Sequence, residues 1–190
     1  MKLLKNEEGL ENSKNFQRAL FIIAQQGYQP YEYGIPKKIL KEAGIEVITA
    51  SKKVGKCTAV DGSTTEATIS ISDIDDWDYD AIVFIGGPGA VGYQHDGEAH
   101  LTAQEAINRK KILAAICIAP TILAYAGVLE GKKATVWNED GLEDQIFKDN
   151  GAIYTGEHVT VDGRIITADG PMSAERFAKK IIEMLKPSEQ

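Results

Sequence analysis

Apolar residues fall along this chain in two patterns, and their alternation predicts the architecture. Unbroken apolar runs of strand length occupy 19–24, 81–85 and 112–116, with a fourth candidate strand at 45–50. A run that is apolar at every position must be covered on both faces, as a central strand of a parallel sheet is. Between the runs, apolar positions recur at helical spacing. Ile35, Ile39 and Leu40 mark a helix over 31–43 that closes at Gly44, and further helices are predicted over 98–111, 120–126, 142–149 and 173–185. Residues 25–30 read as a turn-rich link. Shorter strands are predicted at 54–60 and 67–71 about the Asp61-Gly62 turn, and at 133–137. Residues 158–161 and 164–167 form a hairpin across Asp162-Gly163, a pair suited to the positive φ of a tight turn. Strands alternating with helices through short links give an open, mostly parallel α/β sheet covered on both faces.

In such sheets ligands sit beyond the carboxyl ends of the strands, at the crevice where strand order reverses. Four loops qualify: 25–32, 86–92, 117–120 and 137–141. Composition narrows what they hold. A chain of 190 residues suits one domain, expected over 16–190, with the polar stretch 1–15 as a flexible extension. The net charge of −7 speaks against nucleic acid or an anionic membrane as partner, because both require a basic surface. No apolar run approaches the roughly 20 residues of a membrane span, and two cysteines are too few for a disulfide framework. A reducing, cytoplasmic setting is the expectation. His95, His100 and His158 fit no metal-ligand spacing, so neither a metal nor a cofactor is expected. Gly87, Gly89 and Gly92 spell a dinucleotide-type glycine pattern after a strand. The acidic partner expected about 20 residues later is absent, since Ile116 and Cys117 hold that place, and Pro88 removes an amide donor. Cys57 reads as part of an edge strand.

The strongest chemical signal is Cys117. It follows the buried run 112–116 and precedes a helix whose first residue is Pro120. A sharp strand-to-helix turn there would push the thiol out of the sheet, as in nucleophile elbows built on serine. Unpaired amides at the helix start would favour the thiolate, and that of Ile118 could hold an oxyanion. The same residues also describe a small buried thiol with no chemistry.

Ala114, Ala115, Ile116 and Cys117, followed by Ala119, Pro120 and Thr121, resemble the nucleophile segment of the ThiJ/PfpI superfamily, which includes PfpI-type proteases and the Parkinson-associated deglycase and redox-protein branch. The likeness extends to Gly86, Gly87, Pro88 and Gly89 and to the closing hairpin with Asp169, Gly170 and Pro171. It implies a flavodoxin-like three-layer sandwich, similar to class I glutamine amidotransferases, and a homodimer or higher homo-oligomer. It also implies that Glu32, four residues before Pro36, hydrogen-bonds the sulfur of Cys117, and that the Gly87 amide faces it. Two acidic groups sharing one site would leave the carboxyl protonated whenever the thiolate forms.

The chain departs from this pattern where the family places a histidine. The protease-like branch has one directly after the cysteine, where this chain has Ile118, and a glutamate shortly after the glycine pair, where residues 88–93 offer none. Peptidase or amidase chemistry therefore lacks its base, a group typically worth ~10²–10⁴ in rate. The deglycase branch has its histidine at the place of Trp137, or at a one-residue slip Asn138, and neither is a base. Cys117 and Glu32 are left as the candidate catalytic pair, with Gly87 and Ile118 as backbone donors and Gly86, Pro88, Trp137 and Asn138 lining the pocket. The expected partner is a small electrophile or an oxidant. Either Cys117 adds to a reactive carbonyl while Glu32 shuttles the proton, or Cys117 oxidation is itself the readout of a non-enzymatic stress sensor or chaperone-like protein.

Overall fold

The unbroken apolar runs become the middle of a sheet, and the helically spaced ones become its cover. The structure, a computed structural model, describes residues 16–74 and 79–186, so the segment 1–15 lies outside the described residues. In chain order the elements are β1 (Arg18–Ile22), β2 (Gln26–Tyr28), α1 (Pro30–Glu42), β3 (Glu46–Ser51), β4 (Gly55–Ala59), β5 (Thr64–Ala67), β6 (Ile69–Ser70), β7 (Ala81–Phe84), α2 (Gly97–Asn108), β8 (Ile112–Ile116), α3 (Pro120–Tyr125), β9 (Lys133–Ala134), α4 (Glu143–Asp149), β10 (Ile153–Tyr154), β11 (Val159–Asp162), β12 (Ile165–Ala168) and α5 (Ala174–Leu185).

The main sheet runs β11-β12-β8-β7-β1-β3-β6. Every neighbouring pair is parallel except the β11–β12 hairpin. Leu20, Phe21, Ile82, Val83, Leu113 and Ala114, on the three central strands, are fully buried. Such strands have no solvated face, so the alternation of a half-exposed strand is missing from their sequence. Helices α1 and α5 pack on each other, as do α2 and α3. The chain steps from β1 to β3 in one direction and from β7 to β8 in the other. Right-handed crossovers then put the two helix pairs on opposite faces, which completes the flavodoxin-like three layers. The amphipathic spacing of α5 is visible in its buried residues Ala174, Phe177, Ala178, Ile181 and Leu185.

Three sequence expectations need correction. The link 25–30 contains β2, which joins β4 and β5 in a separate sheet of order β2-β4-β5. Cys57 therefore lies on the middle strand of that sheet and is buried, rather than on an edge. The strand predicted over 133–137 stops at Ala134, because the next amides are used elsewhere. Thr135 N–H donates to Thr167 Oγ1 (2.8 Å) and Trp137 N–H to the Cys117 carbonyl (2.9 Å).

The order of the sheet reverses between β1, which leads outward to β3, and β7, which leads the other way. The crevice beyond their carboxyl ends is bordered by the loops after β1, β7 and β8.

Candidate active site

Strand β8 ends at Ile116, and Cys117 turns the chain at φ +64°, a left-handed conformation uncommon for a residue with a side chain. Such strain costs on the order of 1–3 kcal/mol and persists only when the surroundings fix the backbone. Here they do. The Cys117 N–H donates to Ala168 O at the end of β12 (2.9 Å), and its carbonyl accepts from Trp137. Pro120 opens α3 at the position where a missing N–H does no harm. The result is a nucleophile elbow with its thiol only part-buried, while Cys57 is sealed.

Glu32 sits in the first turn of α1, fully buried, and its Oε2 accepts the Gly86 N–H at 3.1 Å. The two loops are tied together by Gln29 N–H donating to Gly86 O (3.0 Å). A methyl group on Gly86 would lie 2.6 Å from both Cys117 Cβ and Glu32 Oε2, so the carboxyl and the cysteine are separated by no more than about twice that. Only a glycine leaves them this room. Gly87, at φ +104°, would drive a side chain to 2.5 Å from Gly27 O and 2.6 Å from Gln29 N. Its amide and that of Ile118 donate toward the sulfur and favour the thiolate.

Those two amides do not win. Burial, then the Glu32 carboxylate, push the Cys117 thiol up to about 12, whereas the sequence alone suggests a thiol coaxed toward its anion. Glu32 itself is raised from 4.5 to about 7, by burial first, against the thiol and the Gly86 amide that lower it. The two groups titrate as a pair. From about 7 to about 12 they hold one proton between them. Sulfur carries the charge when that proton is on Glu32. Carboxyl Oε1 is buried and has no hydrogen-bond partner among the described residues.

The pair opens into a cavity of about 690 Å³. Glu32, Gly87, Pro88, Cys117, Ile118 and Trp137 all line it, so six of the eight residues singled out in the sequence converge on one space. Gly86 lies behind the pair instead of on the wall. Asn138 is not a lining residue. Its Oδ1 accepts the N–H groups of Glu143 and Asp144 (3.0 and 3.2 Å) and so caps the start of α4.

Four acidic or basic wall residues were not anticipated: Glu139, Glu143, His158 and Asp169. Glu143 is nearly buried, and burial first, then the neighbouring Asp140, raise its carboxyl to about 7. His158, the first residue of the hairpin strand predicted over 158–161, lies just before β11, and its Nδ1 is 2.7 Å from Asp169 Oδ2. The hairpin register carries the signal for this pair. Counting back from Asp162-Gly163, Val159 faces Ala168, which sets His158 opposite Asp169.

Comparison with known proteins bears on the family and the fold. The profile of the DJ-1/PfpI family matches residues 17–184. The chain is 32% identical to the uncharacterized protein MJ0967 of Methanocaldococcus jannaschii, over 100% of this chain and 92% of that one. It is 28% identical to Deglycase TK1284 of Thermococcus kodakarensis, over 88% and 99% of the two chains. The crystal structure of a ThiJ/PfpI domain protein from Brachyspira murdochii superposes with a TM-score of 0.85 at 29% identity, covering 90% of this chain and 96% of that one.

Proposed function

Because this chain belongs to the DJ-1/PfpI family, we propose that its cavity converts small reactive carbonyls, 2-oxoaldehydes such as methylglyoxal or their adducts, with Cys117 as nucleophile. One observation carries the reading: a thiol on a strained elbow stands beside a fully buried carboxyl and faces an open cavity. As sulfur attacks the aldehyde carbon, the S–C bond forms and the carbonyl π bond breaks. Glu32 receives the thiol proton and returns it to the new alkoxide, which gives a hemithioacetal. That the amides of Gly87 and Ile118 act on the sulfur to favour its anion supports this reading. The name of the Thermococcus relative, a deglycase, fits chemistry at a carbonyl carbon.

The test is loss of methylglyoxal with wild type, Cys117→Ser and Glu32→Gln. Turnover by wild type that disappears in Cys117→Ser and falls at least tenfold in Glu32→Gln is expected. Equal rates in wild type and Cys117→Ser would refute it.

A second reading rests on the contrast between the two thiols. With Cys57 sealed and Cys117 facing the cavity, mild peroxide would oxidise one site, and the sulfur oxygens would meet the Gly87 and Ile118 amides. Intact-protein mass spectrometry decides it: one or two added oxygens in wild type, and none in Cys117→Ala.

A further inference from the structure

Forming a hemithioacetal does not finish the reaction. Turning it into an acid requires a proton to leave the thioacetal carbon, and the place where the family resemblance puts a histidine holds Trp137, or at a one-residue slip Asn138. The end of the sheet supplies another. In the β8–β12 register Ile116 faces Ala168, and in the β12–β11 register Ala168 faces Val159. One step further along, Cys117, Asp169 and His158 form a row across three adjacent strand ends. The row is held by Cys117 N–H to Ala168 O (2.9 Å) and Asp169 N–H to His158 O (3.1 Å). At about 4.8 Å per strand, the backbones of Cys117 and His158 are roughly 10 Å apart, and both residues line the cavity, with the His158 side chain 70% exposed. That span suits a small substrate held between sulfur and imidazole.

The imidazole is fixed in the manner expected of a proton-transfer group. Asp169 Oδ2 meets His158 Nδ1 at 2.7 Å, and the other oxygen, Oδ1, accepts from the buried Ser173 hydroxyl at 2.5 Å. With Nδ1 engaged by a carboxylate, Nε2 is the nitrogen left to exchange protons. Besides Asp169, the titratable groups that line the cavity with His158 are Glu32, Cys117, Glu139 and Glu143, and Glu157 precedes it in the chain. No lysine or arginine lines the cavity among the described residues.

We propose that His158, oriented by Asp169, is the acid–base residue that moves the carbon-bound proton of the Cys117 adduct, in place of the histidine missing at Trp137 or Asn138. The proposal rests on the carbonyl reading of Cys117. In the step, Nε2 takes the proton from the thioacetal carbon, and that C–H electron pair forms an enediolate with the adjacent ketone. His158 returns the proton to the former ketone carbon, and the thioacetal hydroxyl proton passes to the former ketone oxygen. A thioester of a 2-hydroxy acid results, and water cleaves its S–C bond to restore the thiol. One carbon is oxidised and its neighbour reduced within the same molecule, so no outside oxidant or reductant takes part. His158 acts on the adduct. Asp169 is a positioning residue.

The test uses the full chain and two readouts. In methylglyoxal turnover, His158→Ala is expected to lose kcat by ~10²-fold or more with KM nearly unchanged, and added imidazole to restore part of it. Asp169→Asn should lower kcat by a smaller factor and shift the histidine limb of the pH profile. The second readout needs no turnover: the His158 ring is titrated by NMR after Cys117 is alkylated with iodoacetate or with iodoacetamide. If ring and sulfur face each other, the carboxymethyl adduct raises the histidine midpoint about half a pH unit above the uncharged one. Unchanged kcat in His158→Ala beside a dead Cys117→Ser, or identical titrations in the two adducts, overturns the proposal. A wild type as inactive as Cys117→Ser overturns the carbonyl reading instead, and the two titrations then decide whether the ring addresses the sulfur.

Discussion

Replacing Glu32 by glutamine keeps the shape of the side chain and removes its ionisation, which isolates the energetic cost of burying this carboxyl. In the folded protein the group is raised from 4.5 to about 7, with burial as the main cause. A carboxyl raised on folding favours the folded state while it stays protonated. Its contribution is complete below the unfolded value and is lost as pH rises through the folded one. At 1.36 kcal/mol per pH unit, ionising Glu32 costs the fold about 3 kcal/mol between pH 4.5 and 7. Urea unfolding of wild type and Glu32→Gln should therefore diverge with pH: the variant gains about 3 kcal/mol on wild type from about pH 4 to about pH 8. With a slope near 2 kcal/mol per molar urea, that is roughly 1.5 M in midpoint. Glu143 titrates in the same range but is present in both proteins and cancels. Cys117, pushed to about 12, stays outside the window. A pH-independent offset between the two curves would report only lost geometry. If their difference stays flat over this range, the carboxyl is not raised, and the shared-proton account of the site falls with it.

Three further outcomes follow from particular contacts. Gly87→Ala meets backbone at 2.5 Å and takes on φ +104°, so its thermal midpoint should fall well below that of Gly92→Ala, where nothing lies within 4 Å; equal midpoints would contradict the close approach. Asn138→Ala removes the cap of α4 and should cost about 1 kcal/mol in denaturant unfolding while leaving Cys117 alkylation unchanged; slowed alkylation would return Asn138 to the site. Glu32, Glu139, Glu143 and Asp169 share the cavity wall, so native Cys117 should disfavour iodoacetate relative to iodoacetamide more than a free thiol does, and Glu143→Gln should narrow the gap. A free-thiol ratio would refute the acidic character of the cavity.

Much of this molecule is legible in the chain because burial writes itself into sequence. Runs 19–24, 81–85 and 112–116 are apolar at every position because β1, β7 and β8 are covered on both faces, and that fixes the sheet, its crevice and the exit of Cys117 into it. The small sheet was harder to see. β2 has three residues, and its pairing with β4 includes a register shift, so no periodicity survives. Trp137 and Asn138 are neighbours with opposite fates: one amide is drawn to the Cys117 carbonyl, while the other residue turns to cap α4, a difference set by tertiary contacts alone. The His158–Asp169 pair was within reach, since the Asp162-Gly163 turn fixes the register that joins the two. What the sequence could not tell is that β12 lies beside β8 and not at the far edge. The direction of the Cys117 shift was also hidden, because it depends on burial outweighing two amide donors.

That direction separates the two accounts of the thiol. An isolated thiol pushed to about 12 would gain reactivity tenfold with each pH unit throughout the accessible range, since only its thiolate reacts. A thiol sharing one proton with Glu32 behaves otherwise. Its reactive form is the singly charged pair, which fills as the first proton leaves at about 7 and then holds constant until the second leaves near 12. Alkylation of native Cys117 by iodoacetamide should thus rise with a midpoint near 7 and level off, and Glu32→Gln should abolish that midpoint. A rate that climbs through pH 9 without a plateau would mean the carboxyl does not take the proton. The nucleophile would then lack the partner on which carbonyl addition depends, and peroxide, which meets the same scarce thiolate, would be equally slow. A plateau leaves the sulfur anionic for a fixed fraction of the time at neutral pH. That fraction is enough for a carbonyl held beside it, whose attack draws the proton onto Glu32 as the S–C bond forms.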